Sequence, residues 1–271
     1  MNTGSGSSEE ITEKLIVKKR EGVGYLILNQ PEKHNAISYE MWLGIARVIG
    51  DFETDDDIRG IVVSGEGGAA FSSGADISQF ERQRQSAENI QVYDGAAARA
   101  QDILTKVPKP TIAKIAGYCI GGGLATALCC DLRFASDNSK FGIPAAKLGL
   151  GYGYGGLNAL VQLIGPSRAK EIMFTARQFD ATEAYEMGLV NRVLKIDELD
   201  GFVNEYMEVI TGNAPLTIKA CKRIIDEIGK DPEEREIVLC QRLVEGCFAS
   251  EDYKEGRRAF MEKRKPRFRG R

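Results

Sequence analysis

The stretch TIAKIAGYCIGGGLATALCC, Thr111 to Cys130, decides the fold. It is as apolar and nearly as long as a membrane span. It carries Lys114 and the triplet Gly121-Gly122-Gly123, however, and Pro108 and Pro110 precede it. A buried strand, a glycine turn and a buried helix explain it better. Upstream, the same pattern recurs: IRGIVVSG is apolar on both faces, as a strand of a parallel sheet must be, and the loop FSSGADI, Phe71 to Ile77, follows it. A polar helical stretch from about Ala87 to Lys106 comes next.

Working outward, KLIVKK and GYLILN read as strands split by the turn-prone Arg20-Glu21-Gly22. An amphipathic helix is predicted from Ser38, a good N-cap, through Phe52. DLRFAS, KFGI and VNRVL are further strands. After about Ile196 the strand signal stops, and helical patterns cover 202–211, 216–228, 233–248 and 253–263. Strands alternating with helices at this spacing imply an α/β fold with a largely parallel sheet. The expected architecture is a core of repeated ββα-like units with an all-helical C-terminal extension. The expected divisions are a disordered lead-in over 1–11, a core over 12–196 and a helical region over 197–271.

The two loops are where chemistry is expected. Residues without large side chains let the backbone approach a ligand, and a helix N-terminus leaves N–H groups unbonded. Two such groups aimed at one point make an oxyanion hole, which stabilises the negative oxygen of an enolate or a tetrahedral intermediate.

Composition narrows the alternatives. With a formal net charge of −3 and mixed signs, no field points to nucleic acid or to an anionic membrane. The dense Arg and Lys from Arg257 to Arg271 read as a solvated helix end or as a local anion site. The cysteines lack C-x-x-C spacing and His34 is the only histidine, which argues against a metal site and leaves little for a Ser-His-Asp mechanism. The first ten residues have no cationic start and no apolar stretch, so no signal peptide is read there and a cytoplasmic location is expected. Gly151-Tyr-Gly153-Tyr-Gly-Gly156 matches the dinucleotide pattern G-x-G-x-x-G, but two helical stretches follow where a βαβ unit needs a strand.

Taken in order, LNxPxxxNA (Leu28 to Ala36), FxxGADI (Phe71 to Ile77), KPxIAxxxGYxxGGG, D-L-R-x-A-x-x-x-x-x-F-G-x-P, FTAxxxxAxEAxxxGLVNxV (Phe174 to Val193) and FxEKRKPxF (Phe260 to Phe268) resemble the enoyl-CoA hydratase/isomerase, or crotonase, family. The resemblance implies a crotonase-type spiral of ββα units that binds an acyl-CoA thioester without any cofactor, coenzyme A being part of the substrate. It assigns the oxyanion hole to the backbone N–H groups of Ala75 and Gly122. It gives Lys33, His34, Ala36, Ser73, Gly74, Asp76 and Ile77 to substrate and CoA, and Phe260 and Lys263 to covering the adenine, often from a neighbouring subunit. The implied assembly is a homotrimer or a dimer of trimers.

This sequence departs from the family where hydration is done. Hydratases of the family add water with two glutamates, one three residues past the oxyanion glycine and one after the F-G-x-P segment. Ala125 and Ala145 stand there, and neither can hold or move a proton. Tyr152 falls where the family's methylmalonyl-CoA decarboxylase carries an active-site tyrosine, although the histidine of that enzyme's first loop is Ala75 here. Two readings of Tyr152 stand side by side, a hydroxyl that orients a leaving carboxylate and a gatekeeping or packing ring. Glu81, Arg82 and Arg84 line the acyl pocket or form a solvated helix face. Lys147 could meet an acyl carboxylate, and Asp76 and Asp131 are expected to fix turns. The expected activity is an acyl-CoA reaction through an enolate, with decarboxylation ahead of hydration. The alternative is a non-catalytic acyl-CoA binder.

Overall fold

The structure, a computed structural model, describes residues 12–76 and 87–271. The lead-in 1–11 and the stretch holding Ile77, Glu81, Arg82 and Arg84 lie outside the described residues. Strands β1 (Leu15–Arg20) and β2 (Val23–Leu28) form an antiparallel hairpin. Its two turn residues, Glu21 and Gly22, both have positive φ (53° and 79°), the turn whose twist matches that of the flanking strands. Helix α1 (Tyr39–Thr54) follows and buries Met41, Trp42, Ile45, Val48, Ile49 and Phe52, the helical spacing of one apolar face.

The chain then climbs a spiral. β3 (Gly60–Gly65), β5 (Thr111–Ile115), β7 (Leu132–Ser136) and β10 (Arg192–Leu194) extend the first sheet in parallel, in the order β1-β2-β3-β5-β7-β10. β4 (Ala70–Ser72), β6 (Tyr118–Ile120), β8 (Lys140–Gly142) and β9 (Phe179–Asp180) form a second sheet in that order. Each turn lays one strand in each sheet and then a helix: β3 and β4 precede α2 (Ala87–Lys106), β5 and β6 precede α3 (Gly122–Leu128), and β7 and β8 precede α4 (Tyr154–Thr175). This is the expected ββα repeat. The second sheet corrects the strand reading, because β4, β6 and β9 have three residues or fewer, too short for an alternating pattern to register.

α5 (Ala181–Glu186) starts from a capping box between Asp180 and Glu183. α6 (Ile196–Gly212) lays Leu199, Val203 and Met207 over Val23, Val62, Ile112 and Phe134 of the first sheet. The helical region past residue 196 therefore begins by covering the sheet. α7 (Pro215–Ile228), α8 (Ile237–Ala249) and α9 (Glu251–Met261) complete the chain, and no strand follows β10 among the described residues. No described helix is long and apolar enough to cross a membrane.

Past α9 the basic tail doubles back. The backbone N–H groups of Arg269 and Gly270 donate to the buried carboxylate of Asp252, and Arg59 donates to the carbonyls of Thr211 and Phe268. Arg258 and Arg264 pair with Glu255, and Arg264 also with Glu262. The tail backbone is thus tied to the rest of the chain, and two of its cations, Arg258 and Arg264, are paired with acids.

Candidate active site

The first loop hangs from β4 and is sewn to the turn that follows β2. Asn35 is fully buried, with a left-handed backbone (φ 54°). Its side chain accepts from the Gln30 N–H at 2.9 Å and donates to the carbonyls of Glu66 and Ala70. That asparagine is the fixed point of the LNxPxxxNA stretch, and the sequence reading gave it no role. Ile37 N–H donates to Gly74 O at 2.7 Å, and Asp76 N–H to Ile37 O at 3.0 Å. Such a parallel bridge turns the intervening Ala75 N–H away from Ile37. Ser73 donates to the carbonyls of His34 and Lys33 through its N–H and its hydroxyl. Ala36 is buried beneath them.

The second loop runs from β6 into α3. Gly122 is the first residue of that helix, so its N–H has no carbonyl one turn back. A β-carbon on Gly123 would lie 2.4 Å from Ser72 O, and one on Gly74, whose φ is +109°, would lie 3.1 Å from Ile120 O. Glycine at these two positions lets the loops touch. Among the described residues, no acceptor takes the N–H of Ala75 or of Gly122. The expected pair is thus brought together, unbonded, on two loops in contact.

Among the described residues of the two loops and the turn after β8, carboxylates are scarce. In the segments Phe71–Asp76, Gly117–Leu128 and Pro144–Tyr152 the only one is Asp76, which is buried and paired with Lys33 at 2.9 Å. Lys33, read as a nucleotide contact, is therefore tied to the first loop, and Asp76 fixes that loop as expected. Ala125 is half-buried on α3 and Ala145 is buried. Tyr152 packs on the core, its ring lying where a side chain on Gly156 would be, 2.7 Å from that β-carbon position. Burial pushes the Tyr152 hydroxyl above the usual tyrosine range, with Cys129 adding in the same direction. It is a proton-bearing hydroxyl at neutral pH. Lys147 is exposed.

His34 is exposed, left-handed at φ 51°, and meets the Tyr118 ring edge-on at 6.0 Å. Phe260 is exposed and Lys263 takes the left-handed position (φ 52°) that closes α9. Phe260 lines an apolar groove of about 770 Å³ with Phe248, Tyr253, Met261 and Phe268, and no residue of either glycine loop lines it. Asp131 fixes a turn as expected, its carboxylate accepting from Thr111 and Lys222. Burial raises the thiols of Cys119 and Cys130 far above their ordinary value, which keeps them inert. Among the described residues no cluster could hold a metal ion. The segment before Gly151 is the 3-10 turn Pro144–Leu148, so the dinucleotide pattern lacks its strand.

The family model for enoyl-CoA hydratase/isomerase matches residues 18–271. The chain belongs to the enoyl-CoA hydratase/isomerase family. It is 33% identical over 256 residues to the crotonyl-CoA hydratase of Syntrophomonas wolfei, covering 94% of this chain and 98% of that one. To the (E)-benzylidenesuccinyl-CoA hydratase of Thauera aromatica it is 36% identical over 251 residues, covering 92% and 96%. Among solved structures, an enoyl-CoA hydratase/carnithine racemase from Magnetospirillum magneticum superimposes with a TM-score of 0.90 at 34% identity, covering 96% and 97%. As a member of this family the protein is an acyl-CoA enzyme with the crotonase fold.

Proposed function

We propose that the protein decarboxylates a malonyl-type acyl-CoA thioester. The thioester oxygen sits between the N–H groups of Ala75 and Gly122. The bond from the α-carbon to the carboxylate breaks, its electron pair passes into the thioester as an enolate, and carbon dioxide leaves. The enolate then takes a proton from solvent at the α-carbon. The observation that carries this reading is the pairing of two unbonded N–H groups with Ala125 and Ala145. Enolate formation by loss of carbon dioxide needs the oxyanion donors but no strong base. The Tyr152 hydroxyl, kept protonated by burial, donates to the leaving carboxylate and holds it out of the thioester plane. No cofactor is required.

The same two alanines also suit a non-catalytic acyl-CoA binder. Incubating the protein with malonyl-, methylmalonyl-, ethylmalonyl- and crotonyl-CoA, with product masses followed in time, separates the two. Loss of carbon dioxide from any of the first three supports the proposal, and no change in all four favours the binder.

We also propose assembly as a homotrimer or a dimer of trimers, with Phe260 and Lys263 meeting the nucleotide end of CoA, near Lys33 and His34, across a subunit boundary. What supports it is the exposure of Phe248, Phe260 and Met261 along one groove, because large apolar side chains gathered at one exposed place mark interaction surfaces. Light scattering of the purified protein, with Phe260→Glu alongside, tests this: a trimer mass that the variant loses is the expected result.

A further inference from the structure

A buried cation sits at the far end of the helix that Gly122 opens. Arg133, on β7, is 5% exposed. Its guanidinium donates to main-chain carbonyls alone: Nε to Leu189 O at 2.9 Å, Nη1 to Cys130 O at 2.5 Å and Ala127 O at 3.4 Å, and Nη2 to Asp131 O at 3.3 Å. The nearest acid in sequence, Asp131, turns its carboxylate away to Thr111 and Lys222. A buried guanidinium with no carboxylate among these acceptors is costly to keep. What it does at this spot is add a bond to Ala127 O at the end of α3, which also accepts from the Cys130 N–H, and bond the carbonyls of Cys130 and Asp131 in the turn that follows.

α3 spans only Gly122–Leu128, so its ends are roughly 10 Å apart. A helix this short moves as one piece, and clamping its last turn sets the direction of its first N–H groups. β7 is itself held at Arg133 by a reciprocal pair: the Arg133 N–H donates to the Asn191 side chain at 2.8 Å, and the Asn191 N–H donates back to Arg133 O at 2.8 Å. A positive charge at a helix C-terminus is also favourable, and across so short a helix it favours negative charge at the other end.

We propose that Arg133 is a positioning residue for the oxyanion hole, holding the C-terminal end of α3 so that Gly122 N–H points at the thioester oxygen. This rests on the placement of that oxygen between Ala75 and Gly122 and not on the decarboxylation itself.

The test uses butyryl-CoA carrying carbon-13 at the thioester carbonyl, a ligand with nothing to lose or add. Its carbonyl stretch is measured by difference infrared spectroscopy, free and bound to the full-length protein. Polarisation by the hole lowers the frequency on binding. In Arg133→Gln, roughly half or more of that downshift is lost while affinity changes by less than about threefold, and Arg133→Lys, which keeps the charge with fewer donors, falls between. If Arg133→Gln does not fold, Arg133→Lys decides: a reduced downshift supports the proposal and a wild-type downshift overturns it. Variants that melt earlier yet leave the bound carbonyl frequency unchanged give Arg133 a structural role only and overturn it. A wild-type protein with no downshift overturns it too, together with the oxyanion assignment. Failure of malonyl-type turnover leaves this experiment untouched.

Discussion

A β-carbon on Gly122 would stand 3.4 Å from the amide nitrogen of Ala75. The two N–H groups assigned to the thioester oxygen thus belong to backbones in van der Waals contact, though they are separated by a whole turn of the ββα spiral. The close approach depends on Gly123, whose missing side chain makes room for Ser72.

Two neighbouring glycines should therefore respond differently. In Gly122→Ala the methyl group meets only ordinary contacts, so the protein folds, but the methyl crowds the space beside the Ala75 N–H. Turnover is expected to fall by about 10²–10³, as when one oxyanion donor is lost, with the melting temperature close to wild type. In Gly123→Ala the methyl lies 2.4 Å from Ser72 O, and stability should drop by about 1–3 kcal/mol. Thermal melts and turnover of both variants check this.

Crotonyl-CoA hydration should be negligible in the wild type, far below the ordinary range of about 1–10³ per second. Each missing carboxylate typically supplies about 10²–10⁴-fold. Ala125→Glu with Ala145→Glu should raise the hydration rate above wild type. Loss of the enoyl absorbance reports it, and a wild-type rate within tenfold of ordinary enzymes would sink the assignment of these two positions.

The tail strap has a pH signature. Glu255 accepts from Arg264, the Arg267 N–H and Arg258, and these bonds hold its carboxyl well below the usual carboxylate range. A depressed folded value stabilises the native state above the unfolded pKa of about 4.3, and the contribution is lost as pH falls through the folded value. Glu255→Gln should thus melt earlier than wild type at neutral pH, with the gap closing progressively below about pH 4. A gap of constant size down to strong acid would contradict it.

Much of this molecule was legible in its sequence because strand, glycine turn and helix are local signals. Thr111–Cys130 declares β5 and α3 outright, and the small residues of Phe71–Ile77 declare the partner loop. Bonds between distant residues leave no such mark. Asn35 holding Glu66 and Ala70 and Lys33 reaching Asp76 join segments that only the spiral brings together, and Arg133 bonding the turn after α3 and Asp252 gripping Arg269 and Gly270 follow no periodicity. Arg133 is the sharpest case: nothing in DLRFAS marks its arginine as a buried residue, yet it is buried.

Tyr152→Phe keeps the ring against Gly156 and removes only the hydroxyl. The most direct measurement of the account is release of carbon dioxide from methylmalonyl-, ethylmalonyl- and malonyl-CoA by wild type and Tyr152→Phe at high enzyme concentration, with CoA affinity measured in parallel. The account predicts that the wild type decarboxylates at least one of them, and that the variant binds CoA equally well but loses most of kcat. No carbon dioxide from any of the three with the wild type, or equal rates for the two proteins, would contradict it.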